Sequence, residues 1–388
     1  MIIVGEKARD HRGGERPVII VLKADVEIDA PEVKRLVEFA ESHPGVHTEL
    51  HQIQGATRSL SELYLLGTTG VIPTEPFEEF SCVERVVRIT EKFRSIGRHG
   101  GGLEAMGFEY NGIQIAQDTL HVFPGLCAVD NRENLETMFR LLGENGIQTA
   151  RAGAYKPRTS PYDFQGFGAE CLPFVFEAAG KYDIRIVSME VTHESHIDEI
   201  LEALRISGNP TGVMIQIGTR NAQNFELLKS VGQQTELPVL FKRGMGITLE
   251  ESLNACEYVA SGGNRRIVFC LRGMKTNLGD PHRNFVDFAH VPVVKRLTRL
   301  PVCIDPSHSV GSRSIAPDGL LDVFHVTAQG VIAGANLILV DFHPKPEEAR
   351  CDGPQALLVE ELPRFLEDVK IVREAYEARL RSVAIAPT

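Results

Sequence analysis

Lysines and arginines follow directly on a series of short apolar runs in this chain: Arg151 in TARAGAY, Lys156 and Arg158 in AYKPRTSP, Arg220 in QIGTRNAQN, Lys242 and Arg243 in LPVLFKRG, and Arg272 and Lys275 after RIVFCL. Any one of them alone is an ordinary solvated surface charge. Gathered at one end of a set of strands, they focus positive potential, and their donors match phosphate and carboxylate oxygens. The chemistry implied is the binding of a small phosphorylated polyanion, with or without a carboxylate. A second set, Cys127, His308, Asp341 and Asp352, offers one sulfur, one nitrogen and two oxygen donors. That mixture suits one borderline divalent ion such as Mn, Fe, Co or Zn, and not a hard Ca or Mg site. A cysteine at a strand end is more often a small hydrophobe, so the set becomes a site only if the last strand closes against the first. Glu190, after RIVSM, adds a carboxylate at the same end.

The elements that must position these residues recur with a regular rhythm. Strand-type runs begin near 121, 149, 185, 212, 237, 266, 300 and 336, with amphipathic stretches such as NRENLETMFRLLGENG and LEESLNACEYVASGG between them. Eight β/α units in this length predict an α/β (β/α)8 TIM barrel, whose active site lies at the C-terminal ends of its strands. A doubly wound sheet is the structural alternative, but no GxGxxG follows the first strand. Ahead of the barrel, residues 17–92 read β-α-β-β-α-β, predicting a ferredoxin-like, ACT-like α+β domain. Residues 1–16 read as a mobile leader, 93–120 as a Gly-rich linker, and 121–388 as the catalytic barrel.

The charge balance of 41 Lys+Arg against 52 Asp+Glu gives −11 over 388 residues, which argues against a nucleic-acid partner. No apolar run is long enough to span a membrane, and MIIVG is too short for a signal peptide. The seven cysteines are scattered without a CxxC pair, which fits a reducing, cytoplasmic setting better than a disulfide framework.

The runs RAGAYKPRTSP, QIGTRNAQNFELLK, PVLFKRG, LPVCIDPSH and HPKPEEARCDGPQAL resemble the β subclass of type I 3-deoxy-D-arabino-heptulosonate 7-phosphate (DAHP) synthases, and the likeness spans nearly the whole chain from Pro17. The resemblance implies a metal-dependent barrel that condenses phosphoenolpyruvate with erythrose 4-phosphate, the first step of the shikimate pathway to aromatic amino acids. It implies a feedback-regulatory N-terminal domain sensing an aromatic product, and a homo-oligomer, tetramer or dimer. Carried over by position, it puts metal ligands at Cys127, His308, Asp341 and Asp352 and phosphoenolpyruvate contacts at Arg151, Lys156, Arg220, Lys242 and Arg272. The aldehyde phosphate falls to Arg158 and Thr159, and the catalytic groups are Lys156, Glu190 and His308.

Three departures surround the same pocket. The family's Gly-Pro-Cys-Ser is Gly125-Leu126-Cys127-Ala128 here, its Cys-Glu-Arg-Gly is Cys270-Leu271-Arg272-Gly273, and its metal Glu is Asp341. They put the aldehyde substrate in question more than the reaction type, leaving as alternatives a secondary-pathway enzyme with a modified sugar phosphate, a 3-deoxy-octulosonate 8-phosphate synthase, and a non-catalytic ligand-binding homologue. For Lys156, crowding by Arg151 and Arg158 predicts a lowered pKa suited to proton donation.

Overall fold

The computed structural model describes residues 18–24, 26–54, 59–70, 72–89, 93–99, 103–208 and 211–383. The leader expected at 1–16 lies outside them. Contacts divide the chain into two units, the first running to Arg94 and including His99–Glu104, the second comprising Ser95–Arg98 and everything from Ala105 on.

In the first unit the elements are β1 (Val18–Leu22), α1 (Pro31–Glu41), β2 (Val46–Gln54), β3 (Ser59–Gly67), the one-turn α2 (Glu75–Glu78) and β4 (Val83–Arg88). The strands form one antiparallel sheet in the order β2-β3-β1-β4. Val33, Leu36 and Ala40 recur at helical spacing, so α1 presents one apolar stripe, and it packs on Val18, Ile20, Leu22, Leu63 and Leu65 of the sheet. The alternate residues Ile19, Val21, Tyr64 and Val87 form a second cluster on the opposite face.

The second unit opens with a hairpin, β5 (Phe108–Tyr110) and β6 (Ile113–Ile115). Eight barrel strands follow: β7 (His121–Leu126), β8 (Thr149–Ala152), β9 (Ile186–Val191), β10 (Gly212–Ile217), β11 (Val239–Lys242), β12 (Ile267–Leu271), β13 (Val302–Ile304) and β14 (Leu337–His343). All are parallel, each pairs with the next, and β14 pairs with both β13 and β7, closing the ring. The outer layer is α3 (Arg132–Glu144), α4 (Leu172–Lys181), α5 (Ser195–Ser207), α6 (Phe225–Gln233), α7 (Leu249–Ser261), α8 (Val291–Leu297), the short α9 (Pro306–Val310), α10 (Asp322–Ile332) and α11 (Leu362–Val383). A short β15 (Leu357–Leu358) adds to the end of β14. Strands buried on both faces read as continuous apolar runs, and β9, β10 and β14 are buried at every residue. No described helix is long and apolar enough to cross a membrane.

The linker expected at 93–120 is mostly part of the barrel unit. Phe108 and Ile115 pack against Phe123, Ile186, Met214, Val268 and Leu337, most of them near the starts of their strands, so the hairpin plugs the floor of the barrel. Its turn is Asn111-Gly112, both with positive φ, the strongest short hairpin signal a sequence offers. Arg98 Nε donates to the carbonyls of Lys295 (2.6 Å) and Thr298 (3.1 Å), and Glu257 accepts from the amides of Ser95 and Ile96. The glycines of RHGGG mask these anchors in the sequence.

Lys295, on α8, donates to the carbonyls of Gln117 (3.2 Å) and Gly334. Burial, reinforced by Arg373 and Arg98, pushes its pKa down to about 8. The folded chain therefore holds this proton less tightly than the unfolded one, so stability contributed here rises as pH climbs from about 8 towards the ordinary lysine value of about 10.4. Because other groups titrate in the same range, the check is a difference: in thermal melts near pH 7 and near pH 10, the stability of the wild type relative to Lys295→Met should rise with pH.

Candidate active site

At the C-terminal end of the barrel a cleft of about 160 Å³, open to solvent, is lined by Lys156, Arg158, Thr159, Glu190, Arg220, Lys242, Arg272, His308 and Asp352. The structure thus brings together most of the residues singled out from the sequence. Met245, Arg283 and Cys351 also line the cleft.

Two glycines make the close approaches possible. Gly125 on β7 has φ +148°, and a Cβ there would lie 2.2 Å from the Arg151 carbonyl on the neighbouring strand. Gly218, just past β10, has an ordinary backbone, but a Cβ would lie 1.8 Å from Glu190 Oε1. The space at Gly218 is where the Glu190 carboxylate sits, with Lys156 Nζ 3.3 Å and Gln216 Nε2 3.4 Å from Oε2. Gly218→Ala should displace that carboxylate, costing about 1–3 kcal/mol of stability as overpacking does and lowering kcat. Denaturant unfolding and turnover measured on one preparation would check both.

Lys156 is nearly buried, with Cys127 Sγ also 3.3 Å from its Nζ. Burial alone would lower its pKa, but Cys127 and Glu190 outweigh burial and Arg151, and the pKa is raised. The expected lowering is therefore overturned: the neighbours that decide the matter are Cys127 and the Glu190 carboxylate on β9, and Arg158 is drawn off to Asp163 at 3.1 Å. Lys156 is a held cation with a proton to give.

Asp305 organises the opposite wall. Its fully buried carboxylate lies 2.5 Å from Lys242 Nζ and 3.0 Å from His308 Nδ1, and it accepts from the His308 amide at 3.1 Å as the N-cap of α9. Burial disfavours the His308 cation, yet Asp305 and Asp341 raise its pKa to about 10. With Nδ1 turned to Asp305, Nε2 faces Cys127 Sγ at 3.8 Å and Asp352 Oδ2 at 3.6 Å. Cys127 Sγ is 3.1 Å from the same oxygen. Burial would raise the Asp352 carboxyl, but His308, Lys156 and Arg283 hold it well below its ordinary value. The Cys351 thiol and burial push Cys127 well up.

Three expected positions differ. Arg151 is not among the residues that line the cleft; its guanidinium is ion-paired with Asp341 and lies 3.4 Å from Cys127 Sγ. Arg243, adjacent to Lys242 on the strand, points the other way and pairs with Asp287 at 2.9 Å. Lys275 is exposed outside the cleft. At the mouth, Arg220 Nη2 reaches Thr159 Oγ1 at 3.4 Å.

Arg272 differs from Lys156, Lys242 and Arg243 in having no carboxylate partner among the described residues. Only 2% exposed, it leaves Nε and Nη1 buried with no partner, and burial lowers its pKa. A buried guanidinium of this kind awaits an anion. Sequence reasoning missed Arg283, whose Nη1 donates to Asp352 Oδ1 (3.0 Å) and Gln355 Oε1 (2.9 Å), and gave Asp305 no role. It also missed Cys351, although the thiol immediately precedes a residue already taken for a ligand.

Comparison with known proteins agrees with this architecture. Over 359 residues the chain is 34% identical to a phospho-2-dehydro-3-deoxyheptonate aldolase of Thermotoga maritima, covering 92% of this chain and 98% of that one. A 2-dehydro-3-deoxyphosphooctonate aldolase of Syntrophobacter fumaroxidans is more distant, 26% identical over 70% of this chain and 95% of the other. The crystal structure of the Thermotoga maritima DAHP synthase aligns with a TM-score of 0.66 and 32% identity, covering 93% of this chain and 98% of that one. Residues 98–378 match the profile of the DAHP synthetase I family. A match of that extent, together with a near-full-length relative at 34% identity, places the chain in the DAHP synthetase I family.

Proposed function

We propose that the chain is a 3-deoxy-7-phosphoheptulosonate synthase, joining C3 of phosphoenolpyruvate to the aldehyde carbon of erythrose 4-phosphate, or of a closely related aldose phosphate, and releasing phosphate. The observation that carries this reading is Arg272, a buried guanidinium on the cleft with unpartnered donors, on the strand next to Lys242. A phosphate or carboxylate supplies the missing acceptors, and leaving such donors unmet costs about 1–3 kcal/mol each.

In this reading Lys156, Arg220, Lys242 and Arg272 grip phosphoenolpyruvate, and Arg158 and Thr159 take the aldehyde's phosphate. Fixing both substrates in one cleft removes part of the barrier by positioning. The electron pair at C3 forms the carbon–carbon bond, and Lys156 Nζ gives its proton to the former aldehyde oxygen. Water adds to the electron-poor C2 under the orientation of Glu190, and its proton returns to the Lys156–Glu190 pair. The C2–O bond to phosphate then breaks as the C2 hydroxyl gives its remaining proton to the departing phosphate, leaving a ketone and inorganic phosphate that keeps the bridging oxygen.

The donors of Cys127, His308 and Asp352 stand 3.1–3.8 Å apart, which fits one shared divalent ion. Such an ion, when bound, supplies Lewis-acid polarisation of the aldehyde oxygen.

Phosphate release from phosphoenolpyruvate, assayed against four- and five-carbon aldose phosphates, tests the reading. Release should require both substrates, stop on chelation, and return to differing degrees with Mn, Co or Zn. Preference for a five-carbon aldose phosphate would move the chain to octulosonate chemistry, and no release with any aldehyde would support a silent ligand-binding homologue.

For the N-terminal unit we infer a ferredoxin-like, ACT-like regulatory module that senses an aromatic end product, supported by its β-α-β-β-α-β order and its β2-β3-β1-β4 sheet. Tyrosine or phenylalanine should then inhibit the full chain in the same assay. Turnover indifferent to both would leave the unit as a stabilising appendage.

A further inference from the structure

The sequence offers four candidate metal ligands, but the structure does not treat them alike. Asp341 has both carboxylate oxygens engaged. Oδ1 is ion-paired with the buried guanidinium of Arg151, and Oδ2 accepts from the buried amide of Gln355 at 2.5 Å. It approaches His308 from the Nδ1 edge, at 3.7 Å, which is the edge Asp305 already occupies. The opposite edge, Nε2, faces Cys127 and Asp352. To reach an ion at Nε2, the Asp341 carboxylate would have to abandon a buried cation and a buried amide donor, each left without its partner.

On the other side of Asp352 stands a donor with no such commitments. Cys351 Sγ lies 3.2 Å from Asp352 Oδ2, and that oxygen is itself 3.1 Å from Cys127 Sγ. The two sulfurs and the Asp352 carboxylate form a group whose donor atoms all lie within 4.8 Å of one another; Cys127, His308 and Asp341 form a second such group, in which Asp341 meets His308 on the Nδ1 edge. Asp352 has a left-handed backbone, φ +54°, and the turn it makes brings two consecutive side chains to the same sulfur. Four-coordinate ligands with bonds of about 2.0–2.3 Å stand about 3.3–3.8 Å apart, and Asp352 Oδ2 lies 3.1 Å from Cys127 Sγ, 3.2 Å from Cys351 Sγ and 3.6 Å from His308 Nε2, close to the spacing of ligands on one ion.

Resting on the reading that the cleft holds one divalent ion, we propose that Cys351 is a ligand of that ion. The set is then Cys127 Sγ, Cys351 Sγ, His308 Nε2 and Asp352 Oδ2, while Asp341 serves as the anchor of Arg151. Two thiolates make the site soft, which selects Zn(II), Co(II) or Fe(II) over Mn(II). Both thiols lose their protons as the ion enters.

The test uses the full-length protein, freed of metal with chelator and reloaded with one equivalent of Zn(II). X-ray absorption at the zinc edge should fit two sulfur scatterers at about 2.3 Å with two lighter ligands; one sulfur would overturn the proposal. Reloading with Co(II) gives a second readout in the near-ultraviolet thiolate-to-cobalt band. Cys351→Ser and Cys127→Ser should each keep about half its intensity, and Asp341→Asn should keep all of it. Cys351→Ser should also shift competition between Zn(II) and Mn(II) towards Mn(II). Full intensity in Cys351→Ser with loss of ion binding in Asp341→Asn would assign the ligand to Asp341. Failure of the intact protein to take up stoichiometric Zn(II), Co(II) or Mn(II) would remove the metal reading as well, an outcome distinct from a one-sulfur spectrum.

Discussion

Lys156→Met is expected to lower kcat by about 10²–10⁴-fold, the usual contribution of a positioned proton donor. Methionine keeps the apolar stem of lysine almost to its full length and removes the ammonium group with its charge and proton. Arg220, Lys242 and Arg272 remain on the cleft to bind phosphoenolpyruvate, so the loss should fall mainly on kcat, with a smaller rise in KM. The substitution also strips Glu190 of the cation 3.3 Å from its carboxylate, so a thermal melt must accompany the kinetics. A variant that melts near the wild type and keeps more than about a tenth of its kcat would show that the proton comes from elsewhere.

Asp305→Asn should be the most destabilising single change in the site. The carboxylate is fully buried, and it neutralises Lys242 at 2.5 Å while fixing His308 through Nδ1. Asparagine keeps the shape but leaves a buried ammonium without a counter-ion, a change that costs about 3–5 kcal/mol. Its pH signature separates this loss from a packing defect. In the metal-free wild type, His308 has a pKa of about 10, against an ordinary value of 6.5. Stability from that proton is complete below about pH 6.5 and is lost as pH rises through about 10. Asp305→Asn should be less stable throughout and should lose most of that decline. An unchanged slope between about pH 6.5 and 10 would mean that Asp305 does not hold the imidazolium.

The barrel was legible because its strands are buried on both faces, so that Ile186–Val191 and Gly212–Ile217 read as unbroken apolar runs between amphipathic helices. The cations at strand ends were legible as a class but not by direction. Lys242 and Arg243 look equivalent in the sequence, yet successive residues on a strand point to opposite faces, which puts one in the cleft and the other against Asp287. Alternation could have separated them. Arg151 is a different case: its partner, Asp341, arrives from β14, which neighbours β7 only because the barrel closes.

Other features depend on tertiary path. Arg283 enters from the long loop between β12 and α8, which has no periodicity to reveal where its side chains go. The charge state of Lys156 turns on Cys127 and Glu190, from the strands on either side, and the role of Asp305 on Lys242, two strands away. The floor hairpin did carry a local signal, Asn111-Gly112 between alternating apolar residues, but the glycines just upstream made the whole stretch read as a linker.

Following the bridging oxygen of phosphoenolpyruvate tests the central claim most directly. With that oxygen isotopically labelled and the full chain supplied with erythrose 4-phosphate and a divalent ion, the label should leave in inorganic phosphate. Oxygen from labelled water should enter the new C2 ketone, and the product should be a seven-carbon keto-acid phosphate. Label retained in the organic product, or phosphoenolpyruvate that binds but is never consumed, would contradict condensation at this cleft.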